Sequence, residues 1–135
     1  MCSEKWQPFA PFFLRIATGA IFLGHGLMKW QVMGLAGTTG MLTGLGFPLP
    51  ELFAVLLIAA EVLGGLALIL GVYTHWTAKI LAFVSLVALV TVHLKNGFMG
   101  QGGYEFILLI LAASVSLMIT GAGKWSLDHK WLKKH

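Results

Sequence analysis

Glu61 carries the most pointed chemistry in this sequence, because it stands in the middle of an apolar run, ELFAVLLIAAEVLGGLALILG, over 51–71. An ionised carboxylate at that depth in hydrocarbon costs about 2.5–3.5 kcal/mol on insertion scales. It must be paired, protonated or turned toward a wet cavity. Five more ionisable groups could share its chemistry: Arg15, His25, Lys29, His93 and Glu105. Imidazole titrates near neutral pH and can pass protons between water and a buried acceptor. A cation steadies a developing oxyanion, and a carboxylate or imidazole supplies protons to it. Such groups suit a quinone, which needs an apolar slot for its tail and donors near each carbonyl. Nothing in the chain delivers electrons. Cys2 is the only cysteine, which rules out an internal disulfide, a thiolate cluster and a dithiol redox pair. No flavin fingerprint is present, so an enzymatic role requires a partner subunit or a substrate that reacts with quinone directly.

Each of these residues also has a plainer role. An Arg15–Glu61 pair, the most specific contact the spacing predicts, could lock two helices together without doing chemistry, because buried ion pairs need not outdo a hydrophobic replacement. His25 and His93 could be satisfied histidines at helix ends. Two histidines at similar depth also raise haem or a metal, but no further ligand set accompanies them, so neither is expected. Lys29, Lys95 and Glu51 stand at helix ends, where solvated anchors are common. Glu105 opens a helix, where its charge complements the helix dipole.

These residues need a membrane fold to position them. The chain has 135 residues, 58% hydrophobic and 10% charged, against about 25% charge in a soluble domain. Four apolar segments, about 9–30, 52–72, 76–94 and 105–120, predict an all-α integral membrane four-helix bundle as one domain over 1–135. The first segment is too long and too marked by Arg, His and Lys for a cleaved signal peptide. Lys5, Lys79, Lys124, Lys130, Lys133 and Lys134 would fall on one side, with Lys29 and Lys95 near the other. The positive-inside rule then places both termini in the cytoplasm. All five Trp residues fall beside a proposed helix end, where indole rings prefer to sit.

Helical periodicity sorts the faces. Arg15, Thr18, Gly19, Phe22, His25, Gly26 and Lys29 share one stripe of the first helix. Ala54, Leu57, Ile58, Gly64, Gly65 and Leu68 share the Glu61 face, where small residues permit close helix approach. Leu109, Ala112, Ser116 and Thr120 predict a small and polar lining on the fourth helix. The Gly-rich stretch 31–50 predicts an outer loop or half-helix between the first two helices. Pro11 suits a helix start, and Ser126 a cap for a short helix in the basic interfacial tail, 124–135. The net charge of +4 comes largely from that tail and points to a lipid surface, not to nucleic acid. Ala20/Gly24, Ala60/Gly64 and Ala78/Ala82 would permit a homo-oligomer.

Several stretches taken in order resemble the DoxX family of small bacterial and archaeal membrane proteins: FLRIATGAIFLGHGLMKW, GFPLPELFAVLLIAAEVLGGLALILGVYT, TVHLKNGF, GGYEFILLIL and GAGKWSLD. The match runs over nearly the whole chain after about residue 10. Ala122 stands where that family often has Pro, and Lys124 where Arg is usual. The resemblance implies a four-helix inner-membrane protein linked to quinone-coupled redox chemistry, since relatives include a subunit of thiosulfate:quinone oxidoreductase. It also implies that Arg15, His25, Lys29, Glu61, His93 and Glu105 are the positions that matter. Three functions are then open: a quinone-binding subunit of a redox system, a small proton-coupled transporter or channel, and a membrane scaffold for soluble redox enzymes.

Overall fold

The computed structural model describes residues 4–132. Cys2, Lys133, Lys134 and His135, part of the sequence reading above, lie outside the described residues. The described residues form five α-helices: α1 (Ala10–Leu27), α2 (Gly34–Gly44), α3 (Pro50–Leu70), α4 (Thr74–Ala88) and α5 (Glu105–Thr120). The described residues hold no strand. Three helical runs are long and apolar enough to cross a membrane, namely Gln7–Gly44, Pro50–Leu70 and Thr74–Asn96. Helix α5 is apolar but has only 16 residues, about 24 Å at helical rise against a core of about 30 Å.

The first run is longer than its apolar pattern suggests. After Leu27 the chain continues as a wider π-helical turn, Met28–Met33, and reaches Gly34 at φ +72. Only glycine takes that conformation without cost, so the chain bends there and α2 starts in a new direction. The stretch between the first two spans is thus a half-helix that packs on α3. Helix α4 ends in the same manner, through a π turn at Leu89–His93 to Gly97 at φ +80.

The helices are antiparallel and α1 packs most extensively on α3, α4 on α5. The α1–α3 seam runs backbone on backbone. A Cβ on Gly19 would lie 2.7 Å from the Gly65 carbonyl oxygen, and one on Gly26 would lie 2.8 Å from the Val62 nitrogen. Without water to drive helices together, such close packing is what holds a membrane bundle. Phe22, Leu68, Ala78, Leu81, Ile110 and Leu117 fill the centre. Leu52, Leu63, Ile80, Phe83, Leu109 and Ile119 face outward, as a hydrocarbon surrounding allows.

The predicted polar lining of the fourth helix is corrected. Leu109, Ala112, Ser116 and Thr120 are exposed, while Ile110, Ser114 and Leu117 turn inward. The Ser116 and Thr120 hydroxyls donate to the Ala112 and Ser116 carbonyls, both at 2.8 Å. Satisfied within their own helix, they can face lipid at little cost.

Candidate functional site

The site is built at the loop end of the bundle, where α1, its π turn, α2 and α3 meet. Glu61 is 6% exposed and sits on the α1-facing side of α3. Gly26 lies against it: a Cβ there would come within 2.9 Å of the Glu61 Cβ. That gap lets Lys29, one turn further on, reach the carboxylate. Its Nζ donates to Oε1 at 3.0 Å and to Oε2 at 2.8 Å, so both oxygens are engaged. Both side chains are largely withdrawn from solvent, at 12% and 8% exposure. The attraction is stronger there than on a wet surface but is offset by the cost of desolvating both charges, and losing one partner strands the other.

Helix α2 completes the wall. Thr38 is fully buried, and its hydroxyl lies 3.0 Å from the Gly34 carbonyl and 3.4 Å from that of Lys29. The hydroxyl thereby ties the first turn of α2 back to the π turn. An apolar groove of about 350 Å³ runs between α2 and α3, lined by Trp30, Leu35, Val55, Ile58, Ala59, Val62 and Leu63. Trp30 and Val62 directly follow the paired residues in sequence. A second, open depression of about 670 Å³ lies between α2 and Glu51, lined by Leu35, Ala36, Thr39, Gly40 and Thr43.

The predicted Arg15–Glu61 contact does not form. Arg15 lies at the opposite end and is fully buried. Its Nε donates to the Ala122 carbonyl (3.1 Å), Nη1 to those of Leu68 (3.1 Å) and Ile69 (2.5 Å), and Nη2 to that of Trp125. The cause is register. Gly26, not Arg15, stands at the depth of Glu61, and the two α1 positions are about 16 Å apart along the axis. Arg15 instead closes the C-terminus of α3, where unpaired carbonyls and the helix dipole both favour a cation.

The other candidates lie around the loop end without joining the pair. His25 is exposed and stacks on Phe106 of α5, ring centroids 6.3 Å apart, beside the exposed Glu105 in the first turn of that helix. His93 is half-buried, and its Nδ1 lies 2.9 Å from the Gly102 carbonyl, which also accepts from Asn96 Nδ2 at 3.0 Å. Among the described residues, no three His, Cys, Asp or Glu side chains gather as a metal site would need. One structural residue escaped the sequence reading: Asp128 accepts from the Tyr73 and Thr74 amides at 2.7 and 2.8 Å and so closes the start of α4. The S-x-D spacing of the tail was its signal. Ser126 does cap the following turn, accepting from the His129 amide at 3.1 Å.

Comparison with known proteins agrees with this architecture. The family model described as DoxX matches residues 10–94. A Bacillus subtilis protein named "Putative oxidoreductase CatD" is 36% identical over 115 residues, covering 85% of this chain and 81% of that protein. The Escherichia coli "Inner membrane protein YphA" is 31% identical over 130 residues, covering 92% of this chain and 91% of its own. An "Uncharacterized protein" of Haemophilus influenzae is 31% identical over 135 residues, covering 97% of each. No solved structure matches the chain.

Proposed function

The chain belongs to the DoxX family, and from that premise we propose that it is a membrane subunit of a quinone-linked redox system, with the Lys29–Glu61 pair as the polar end of its ligand site. One observation carries the reading. Lys29 and Glu61 form an ammonium–carboxylate pair, bonded through both oxygens and largely withdrawn from solvent, and the residues that directly follow them in sequence, Trp30 and Val62, line an apolar groove. An amphipathic ligand needs that combination of polar head site and apolar channel. The redox class is supported by the name of the CatD relative, and an inner-membrane location by that of YphA.

A bound quinone supplies two-electron, two-proton redox capacity that the protein's side chains lack. Lys29 can swing its ammonium from Glu61 to a carbonyl oxygen and steady negative charge there. Glu61, no longer engaged by Lys29, would be the acid–base group of the same site. Val55, Ile58 and Leu63 line the apolar course a polyprenyl tail would take. The electrons come from a partner subunit, or from a thiol or reduced sulfur compound. Both termini face the cytoplasm in this reading, because Lys5, Lys79, Lys124 and Lys130 belong to the end that carries them.

The test is chemical. Protein isolated from membranes in mild detergent should carry quinone in its lipid extract, and Glu61→Gln should carry at least about tenfold less, the loss expected from about 1.4 kcal/mol of binding. Extracts without quinone from wild-type protein, or equal amounts in both, would contradict the proposal.

A further inference from the structure

The opposite end of the bundle carries a surface with no part in the Lys29–Glu61 site. The short turn Gln7–Phe9 and the returning tail build it together, joined where the Lys124 amide donates to the Pro8 carbonyl at 2.9 Å. Rings line up across the join. Trp6 and Phe9 have centroids 5.8 Å apart, Phe9 and Trp125 5.0 Å, and Phe12 and Trp125 5.1 Å. The Lys124 ammonium stands 4.9 Å from the Phe9 ring centroid. Trp6, Phe13 and Trp125 are nevertheless 65%, 67% and 64% exposed.

Trp125 is the informative residue. Its φ of +55 is a left-handed conformation that bulky side chains adopt only at a cost. The backbone needs nothing from the indole: Arg15 takes the Trp125 carbonyl, which any residue would supply. The indole packs on the Phe9 and Phe12 rings and presents the rest of its surface outward. From Phe13 a strip of exposed small residues, Ala17, Ala20 and Gly24, continues along the same face of α1. A Cβ added to Gly24 would meet nothing within 4 Å, so the strip is open and low beside the Phe13 ring.

We infer that this face binds one anionic phospholipid, its headgroup phosphate at Lys124 beside the Trp125 indole and an acyl chain along Phe13, Ala17, Ala20 and Gly24. A lysine laid over an aromatic face keeps its ammonium donors available to a phosphate, and indole N–H groups favour the headgroup level. Lys5, Lys79 and Lys130 belong to the same end and add attraction for anionic lipid. The strip of small residues lets an acyl chain lie close to α1 beside the exposed Phe13 ring.

Native mass spectrometry of the full chain released from nanodiscs tests this, with phosphatidylglycerol and phosphatidylcholine as the lipids. One phosphatidylglycerol should stay bound per chain, about fivefold less in Lys124→Gln, and less in high salt. Trp125→Gly should lower retention while the protein still melts cooperatively, because glycine accepts φ +55 and leaves the carbonyl for Arg15. Equal retention of the two lipids, or retention unchanged in both variants, would overturn the assignment. So would a stable dimer that carries no phosphatidylglycerol, which would give the strip to a second copy.

Discussion

At the scale of single residues, the two charged groups of the first helical run, Arg15 in α1 and Lys29 in the π turn after it, do different work. Lys29 holds one carboxylate, whereas Arg15 holds four carbonyls and no carboxylate. Removing either should hurt, but in different assays. Lys29→Ala leaves Glu61 buried without a partner and should cost about 3–5 kcal/mol of stability, read as a fall in detergent melting temperature. Glu61→Gln in that background should recover much of the loss by removing the stranded charge. Arg15→Ala should free the tail, so that limited proteolysis after α5 speeds up while any surviving folded protein keeps its ligand. That Glu61 needed a basic partner was legible from its place in an apolar run. Which partner was not, because the choice depended on the depth at which α1 and α3 cross. The glycines at 19, 26 and 65 set that depth through backbone contacts.

At the scale of elements, α1 and α3 form the unit on which the site depends. A side chain at Gly65 would drive its Cβ to 2.5 Å from the Leu23 nitrogen. Gly65→Val should therefore separate the helices and destabilise by at least about 1–3 kcal/mol, the range for overpacking a tight contact. It should also loosen the Lys29–Glu61 pair one turn away. By contrast, Asp128→Ala removes only the cap on α4 and should cost about 0.5–2 kcal/mol, leaving the pair intact. The inward stripe of the first helix was readable from period in most of its members: Arg15, Thr18, Gly19, Phe22 and Gly26 are buried and Lys29 is partly so, but His25 is exposed. The lining assigned to the fourth helix was not, because small and hydroxyl residues mark an interior only when their polar groups lack partners within the helix. Ser116 and Thr120 have them. The half-helix α2 was half-legible. Its glycines advertised a break at the turn, but the helical course on either side of Gly34 depends on packing against α3.

At the scale of the whole molecule, charge and chemistry separate along the bundle. The loop end holds the paired Lys29 and Glu61 with His25, His93 and Glu105 around it. The end with the termini holds Arg15, the capping Asp128 and most of the lysines. That asymmetry argues for termini in the cytoplasm. In a Cys2→Ser background, Met99→Cys in the loop before α5 should react with a membrane-impermeant maleimide added to intact cells, and a cysteine at Ser3 should not. The fold class was open to reading because apolar length and charge content are properties of composition. The site was only partly so, since a pairing across helices is a property of register. The central claim is that Lys29 and Glu61 form a ligand site and not a structural clasp. Its most direct test is the isosteric double variant Lys29→Met/Glu61→Leu, in which no charge is left stranded and stability should be kept or raised. Quinone bound per folded chain should then fall to background while the melting temperature holds. A double variant that retained the wild-type amount of quinone would show the pair to be a clasp alone.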